Sequence, residues 1–226
     1  CHALQCFEEG NEQDCLKGIQ LLDKTDSIQR GYRNLFALRA SCKQGIMDLY
    51  GATEDYEAAI AQQADPELFS EKAHIFLTMG EFSLALQDIT KAIELDSSDV
   101  FYVLNRALIL QEASDFDAAL ADLDVAISLC PDSAFIYTEK ATTLFLADRH
   151  SEAKAFFDKS LALEPDNADV YHDRGYLKNF LEDLDGALQD LIKAVQLAPD
   201  DADSYFIRGM IKLERGENGC SDLNNS

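Results

Sequence analysis

The sequence predicts an all-α chain, built as a stack of antiparallel helix pairs. Three observations carry this reading. Small residues recur at intervals of 34 (33 at the first step), each interval holds two amphipathic helical stretches, and turn residues fall at the same two places in every interval. The octets ALQDITKA (85–92) and ALQDLIKA (187–194) sample the pattern, lying 102 residues, or three intervals, apart.

The small residues form three columns. Ala40, Ala73, Ala107, Ala141, Gly175 and Gly209 make the first. Ala52, Ala85, Ala119, Ala153 and Ala187 make the second, and Ala59, Ala92, Ala126, Ser160 and Ala194 the third. Two helices joined by a short turn cross closely, and a small side chain at the crossing lets their backbones approach.

Within one interval, the spacing predicts a first helix near 98–113, where Val103, Ala107 and Leu110 share a face. A second follows near 115–129, with Phe116, Ala119, Leu123, Ala126 and Ile127 aligned. Ser114 and Asp115 mark the turn between them. Pro131 ends the second helix, and Asp132 and Ser133 are N-cap residues for the next. The stretches EPDN (164–167) and APDD (198–201) repeat that punctuation, and LDSSD (95–99) keeps the caps without the proline.

The interval of 34, the three small columns, the terminal proline and an aromatic column (Phe36, Phe69, Tyr137, Tyr171, Tyr205) together resemble the tetratricopeptide repeat, over essentially the whole chain. The resemblance implies a right-handed superhelical solenoid, organised as a single array over 1–226. Full repeats are expected at 33–65, 66–99, 100–133, 134–167 and 168–201. Residues 1–32 read as a partial repeat, with its second helix at 10–24 and Cys15 in a small column, and 202–226 as a further partial repeat. Both ends stop inside a repeat, as expected for a segment of a longer protein, since arrays need polar caps over their last apolar faces. An odd, capping last repeat is the alternative.

One column departs from the commonest family pattern. Arg39, Lys72, Arg106, Lys140, Arg174 and Arg208 stand just before the first small column, and Asp55, Asp88, Asp122, Asp190 and Asp222 recur in the second helices. Facing columns of opposite charge predict a ladder of salt bridges that sets register. The copy with Lys140 carries Phe156 in place of the acid.

Members of the family bind peptides on the concave side, lined by the first helices. Carried onto this chain, the resemblance implies a peptide-binding groove containing Phe101, Leu104, Leu108, Phe135, Thr138, Thr142, Phe145, His172, Tyr176, Phe206 and Met210. So apolar a face in so charged a chain is the kind of surface that marks contact sites. The competing reading is packing, with some of these side chains tucked into second helices or covered by a further helix. Co-chaperone members grip a C-terminal carboxylate with Lys, Asn and Arg on these faces. Only Asn105 matches here, so a chaperone ligand held by a carboxylate clamp is not expected, nor is an asparagine ladder of the kind found in O-GlcNAc transferase.

Composition narrows the partners. The 226 residues carry 42 acidic and 19 basic side chains, a formal charge of −23. Such a surface repels phosphate backbones and anionic headgroups, so neither nucleic acid nor direct membrane-surface binding is expected. It favours a protein or peptide with apolar anchors and basic flanks; solubility is the plainer reason for the charge. No apolar run approaches the about 18 residues of a membrane span.

Six cysteines form no CxxC and suggest no disulfide framework, so free thiols in a reducing, cytoplasmic compartment are favoured. Cys1 as the acylated residue of a mature envelope lipoprotein is the alternative. Among His2, His74, His150 and His172 no two are four residues apart, and no HExxH, GxSxG or phosphate loop occurs. His74 and His172 read as solvated groove side chains, three copies apart. No enzyme, metal or cofactor chemistry is expected. The chain reads as a non-enzymatic protein-interaction scaffold; the alternatives are an interaction arm of a larger enzyme or co-chaperone, and a lipid-anchored bacterial envelope assembly adaptor.

Overall fold

Helices form wherever an apolar stripe at helical spacing lies between a cap and a turn. The computed structural model of the chain describes residues 16, 18–20 and 35–224, and no strand occurs among them. Residues 16 and 18–20 are helical, whereas the rest of 10–24, with Cys15, and Cys1 and Cys6 lie outside the described residues. First helices are α1 (Leu35–Gly45), α3 (Pro66–Thr78), α5 (Val100–Glu112), α7 (Ala134–Leu146), α9 (Ala168–Phe180) and α11 (Ala202–Glu214). Second helices are α2 (Leu49–Gln62), α4 (Phe82–Leu95), α6 (Phe116–Leu129), α8 (His150–Leu163), α10 (Leu184–Leu197) and the short α12 (Cys220–Leu223).

The caps follow the sequence in part. Asp65, Asp99, Asn167 and Asp201 accept hydrogen bonds from first-turn backbone N–H groups of α3, α5, α9 and α11. Ser133 occupies the cap position of α7 without a side-chain bond. The turn after each first helix holds one residue in the left-handed region: Met47, Gly80, Ser114, Asp148, Glu182 and Gly216, with φ between 59° and 74°. The position recurs with the repeat, yet only two of its six occupants are glycine.

The molecule divides into two compact units, residues 1–115 and 116–226, with the boundary between α5 and α6. In the first unit α1 pairs with α2 and α3 with α4, and α2 and α4 pack on the following first helices. The core here is Ala40, Ala52, Tyr56 and Ile75, then Ala73, Ala85, Ile89, Ala92, Tyr102 and Ile109. In the second unit α7 pairs with α8, α9 with α10 and α11 with α12. Leu120, Ala141, Leu144, Ala153, Phe157, Leu161, Val170 and Leu177 form its larger cluster, and Ala187, Leu191 and Ile211 the smaller. Every residue of the three small columns is buried. A Cβ added at Gly175 would come within 3.0 Å of Leu191, which is how close α9 and α10 run.

The charge columns meet as their spacing predicts. Arg39 donates two hydrogen bonds to Asp55, at 2.8 and 2.5 Å. Arg174 makes the same fork on Asp190, and Arg208 on Asp222. Lys43, Lys178 and Lys212, one turn on, add a second cation to each acid. Lys72 reaches Asp88 through a single contact at 3.3 Å. Lys140, whose own copy lacks the acid, sits 4.6 Å from the Phe156 ring centre and pairs with Asp124 of the preceding second helix. Arg174 likewise bonds Asp158, and Lys72 lies 3.5 Å from Glu57, so this column also ties successive copies together. The aromatic column takes part: the guanidiniums of Arg39, Arg174 and Arg208 lie 5.0 to 5.5 Å from the rings of Phe36, Tyr171 and Tyr205.

Candidate functional site

Each first helix of the second unit turns its small residues and several aliphatic ones into the core and leaves a second stripe partly open. In the second unit that stripe runs Phe135, Glu139, Thr142 and Leu146 on α7, then Asp169, Asp173, Tyr176 and Phe180 on α9. On α11 it runs Asp203, Ile207, Met210 and Glu214, always at spacings of four, three and four. Phe206 lies beside it on α11. Phe135 is 58% exposed, Phe180 56%, Phe206 51%, Met210 49% and Tyr176 45%, whereas Ile136, Leu144, Leu177 and Ile211 of the same helices are fully buried.

The residues named from sequence divide between the units. Phe101, Leu104 and Leu108 lie on α5 in the first, where Phe101 and Leu108 are exposed and Leu104 half-buried. The other eight belong to the second. There Phe145 is half-buried and packs on the core cluster, while its ring meets Tyr176 at 5.7 Å and Phe180 at 5.8 Å. Thr138 shares a 2.7 Å hydrogen bond with Ser160 and donates to the Ala134 carbonyl, and Thr142 is half-buried. His172, read from sequence as solvated, is half-buried instead: its Nδ1 lies 2.7 Å from Ser204 Oγ and 3.6 Å from Asp201, tying α9 to α11. His74 is exposed.

Sequence reasoning missed Phe180, His150 and two carboxylates. His150 opens α8, its ring 4.4 Å from Phe180 and 5.0 Å from Phe145, with Nδ1 buried and unbonded. Phe180 is detectable as the end of its stripe, four residues beyond Tyr176. The carboxylates are Glu139 and Asp173, both half-buried. Burial pushes the Glu139 carboxyl above its ordinary range, and the negative charge of Asp173 adds to the push. Burial raises Asp173 as well; His172 pulls it back and Asp169 raises it further. Neither acid pairs with a lysine or arginine among the described residues.

Comparison with known proteins agrees with this architecture. The family model described as "Tetratricopeptide repeat" matches residues 66–99, 136–167 and 168–201. The chain carries tetratricopeptide repeats. Among solved structures, the C-terminal part of a tetratricopeptide-repeat protein from Cytophaga hutchinsonii superposes with a TM-score of 0.76 at 18% identity, over 92% of this chain and 83% of that one. A tetratricopeptide-repeat protein from Parabacteroides merdae gives 0.73 at 17% identity, over 98% and 90%. YrrB, described as a tetratricopeptide-repeat protein with an unusual peptide-binding site, gives 0.62 at 16% identity, over 83% and 97%. No curated protein sequence matches the chain. At these identities the structural neighbours show the fold alone, and the repeats together with that fold support a protein-interaction scaffold. Among the described residues, no helix of this chain is long and apolar enough to cross a membrane.

Proposed function

We propose that this tetratricopeptide array is a non-enzymatic scaffold that takes an extended or helical peptide segment on its first-helix faces, anchored by apolar side chains. One observation carries the reading: large aromatic and aliphatic residues stand about half exposed on three successive first helices of the second unit, while the opposite sides of those helices are sealed. Phe101 and Leu108 give the first unit a face of the same character. The whole chain is read as one array with repeats at the boundaries given above. YrrB is a precedent for a peptide site on this fold.

The test is a pull-down from the source lysate with the wild-type chain and a Phe101→Ser/Phe135→Ser/Phe206→Ser variant, with helicity checked by circular dichroism. Partners lost from a still-helical variant are the expected result. Partners retained in full would move the site to the acidic second-helix surface and leave these rings as packing for a further helix.

A further inference from the structure

The charge on the first helices of the second unit is sorted by face. Lys140 on α7, Arg174 and Lys178 on α9, and Arg208 and Lys212 on α11 are the only lysines and arginines of these helices. All five turn toward carboxylates of second helices: Asp124, Asp158, Asp190 and Asp222. The stripe that carries the exposed rings holds acids and no lysine or arginine. Glu139 sits one turn from Phe135 on α7, and Asp173 one turn from Tyr176 on α9. A half-buried carboxylate without a cation bears a desolvation cost that an incoming cation relieves. Both acids show that cost, since burial raises both carboxyls.

We propose that this face selects a basic peptide, with an arginine side chain seated against Glu139 and Asp173 and an adjacent aromatic or aliphatic residue packed on Phe135, Tyr176 and Phe206. This rests on the peptide-binding reading above and specifies its ligand. The carboxylates alone would not make a site. The exposed rings beside them supply apolar contact, and an aromatic ring such as those of Tyr176 and Phe180 favours a guanidinium over an uncharged group. The net charge of −23 draws such a peptide in and turns acidic segments away.

The experiment pans a phage-displayed library of random dodecapeptides on the full chain and measures the enriched peptides by fluorescence polarisation. Three proteins are compared: wild type, Glu139→Gln/Asp173→Asn, and Phe135→Ser/Tyr176→Ser/Phe206→Ser. Enriched peptides are expected to carry arginine or lysine beside an aromatic or aliphatic residue, and to lose about tenfold in affinity on the Gln/Asn variant. Replacing the peptide arginine by citrulline should weaken binding to wild type by a similar factor and leave the Gln/Asn variant nearly unaffected, because the two changes remove one interaction. The Gln/Asn variant should melt no lower than wild type, which separates lost recognition from lost fold. Enriched peptides without basic residues, or with affinity unchanged on the Gln/Asn variant, overturn this inference; if they are still lost on the serine variant, the peptide-binding reading stands. No enrichment overturns both, and full binding to the serine variant overturns this inference and removes the second unit's face from the peptide-binding reading.

Discussion

Asp55 and Asp88 occupy the same place in successive repeats, yet their surroundings shift the two carboxyls in opposite directions. Burial opposes ionisation at each. At Asp55 the fork from Arg39 and the bond from Lys43 outweigh it, so the carboxyl lies below its ordinary range. At Asp88 the single contact from Lys72 does not, and Glu57 pushes the same way as burial, so the carboxyl lies above that range. The signs follow by linkage. Asp55 contributes stability that is present above its unfolded-state pKa and lost as pH falls through the lower folded value. Ionised Asp88 costs stability above its unfolded-state pKa, and protonation removes the cost. A planar guanidinium with two parallel donors suits this acid better than an ammonium. Lys72→Arg should therefore bring Asp88 below the ordinary carboxylate range, read by NMR titration, and add about 1 kcal/mol at neutral pH. An Asp88 value still above that range would show that the second donor cannot reach.

At the scale of the element, the turn between paired helices is the informative feature. Its left-handed residue closes the first helix through a backbone bond to the last turn, as from Gly80 to Leu77 and from Glu182 to Asn179. An L-residue is strained in that region and glycine is not. Around Gly80 a Cβ would meet nothing within 4 Å, so substitution there tests the backbone alone. Gly80→Ala should lower stability by about 1 kcal/mol, and Glu182→Gly should raise it by about 0.5 kcal/mol, once the chain entropy of the added glycine is set against the relieved strain. Denaturant midpoints check both, and equal midpoints for all three proteins would show that these turns relax. Sequence marked Ser114 and Asp115 as a turn but did not disclose its handedness, because four of the six residues at this place are not glycine. The small columns were plainer: a crossing too close for a larger side chain selects Ala, Gly or Ser in every copy, so packing writes itself into the period.

For the whole molecule the dominant long-range term is the charge of −23. Self-repulsion on that scale destabilises the folded chain and is screened over about 8–10 Å at physiological salt. The paired charges, such as Arg39 with Asp55, are partly sheltered and screened less. Moderate salt should accordingly raise the melting midpoint by about 2–4 °C, read by circular dichroism at neutral pH. A midpoint that falls with salt would mean that attraction along the charge columns outweighs repulsion. By itself the sequence determined the helices, their pairing and the meeting of Arg39 with Asp55 and Arg174 with Asp190, since a repeat places equivalent side chains in equivalent surroundings and period alone reveals them. The tertiary structure alone decided which apolar rings remain uncovered. Phe135 stays open while Phe145, on the same helix, leans into the core and against Tyr176. It also decided that the first-helix cations of the second unit turn away and leave Glu139 and Asp173 without one. Spacing identifies a face of a helix, but what covers that face depends on the angle and distance at which the neighbouring helices cross it.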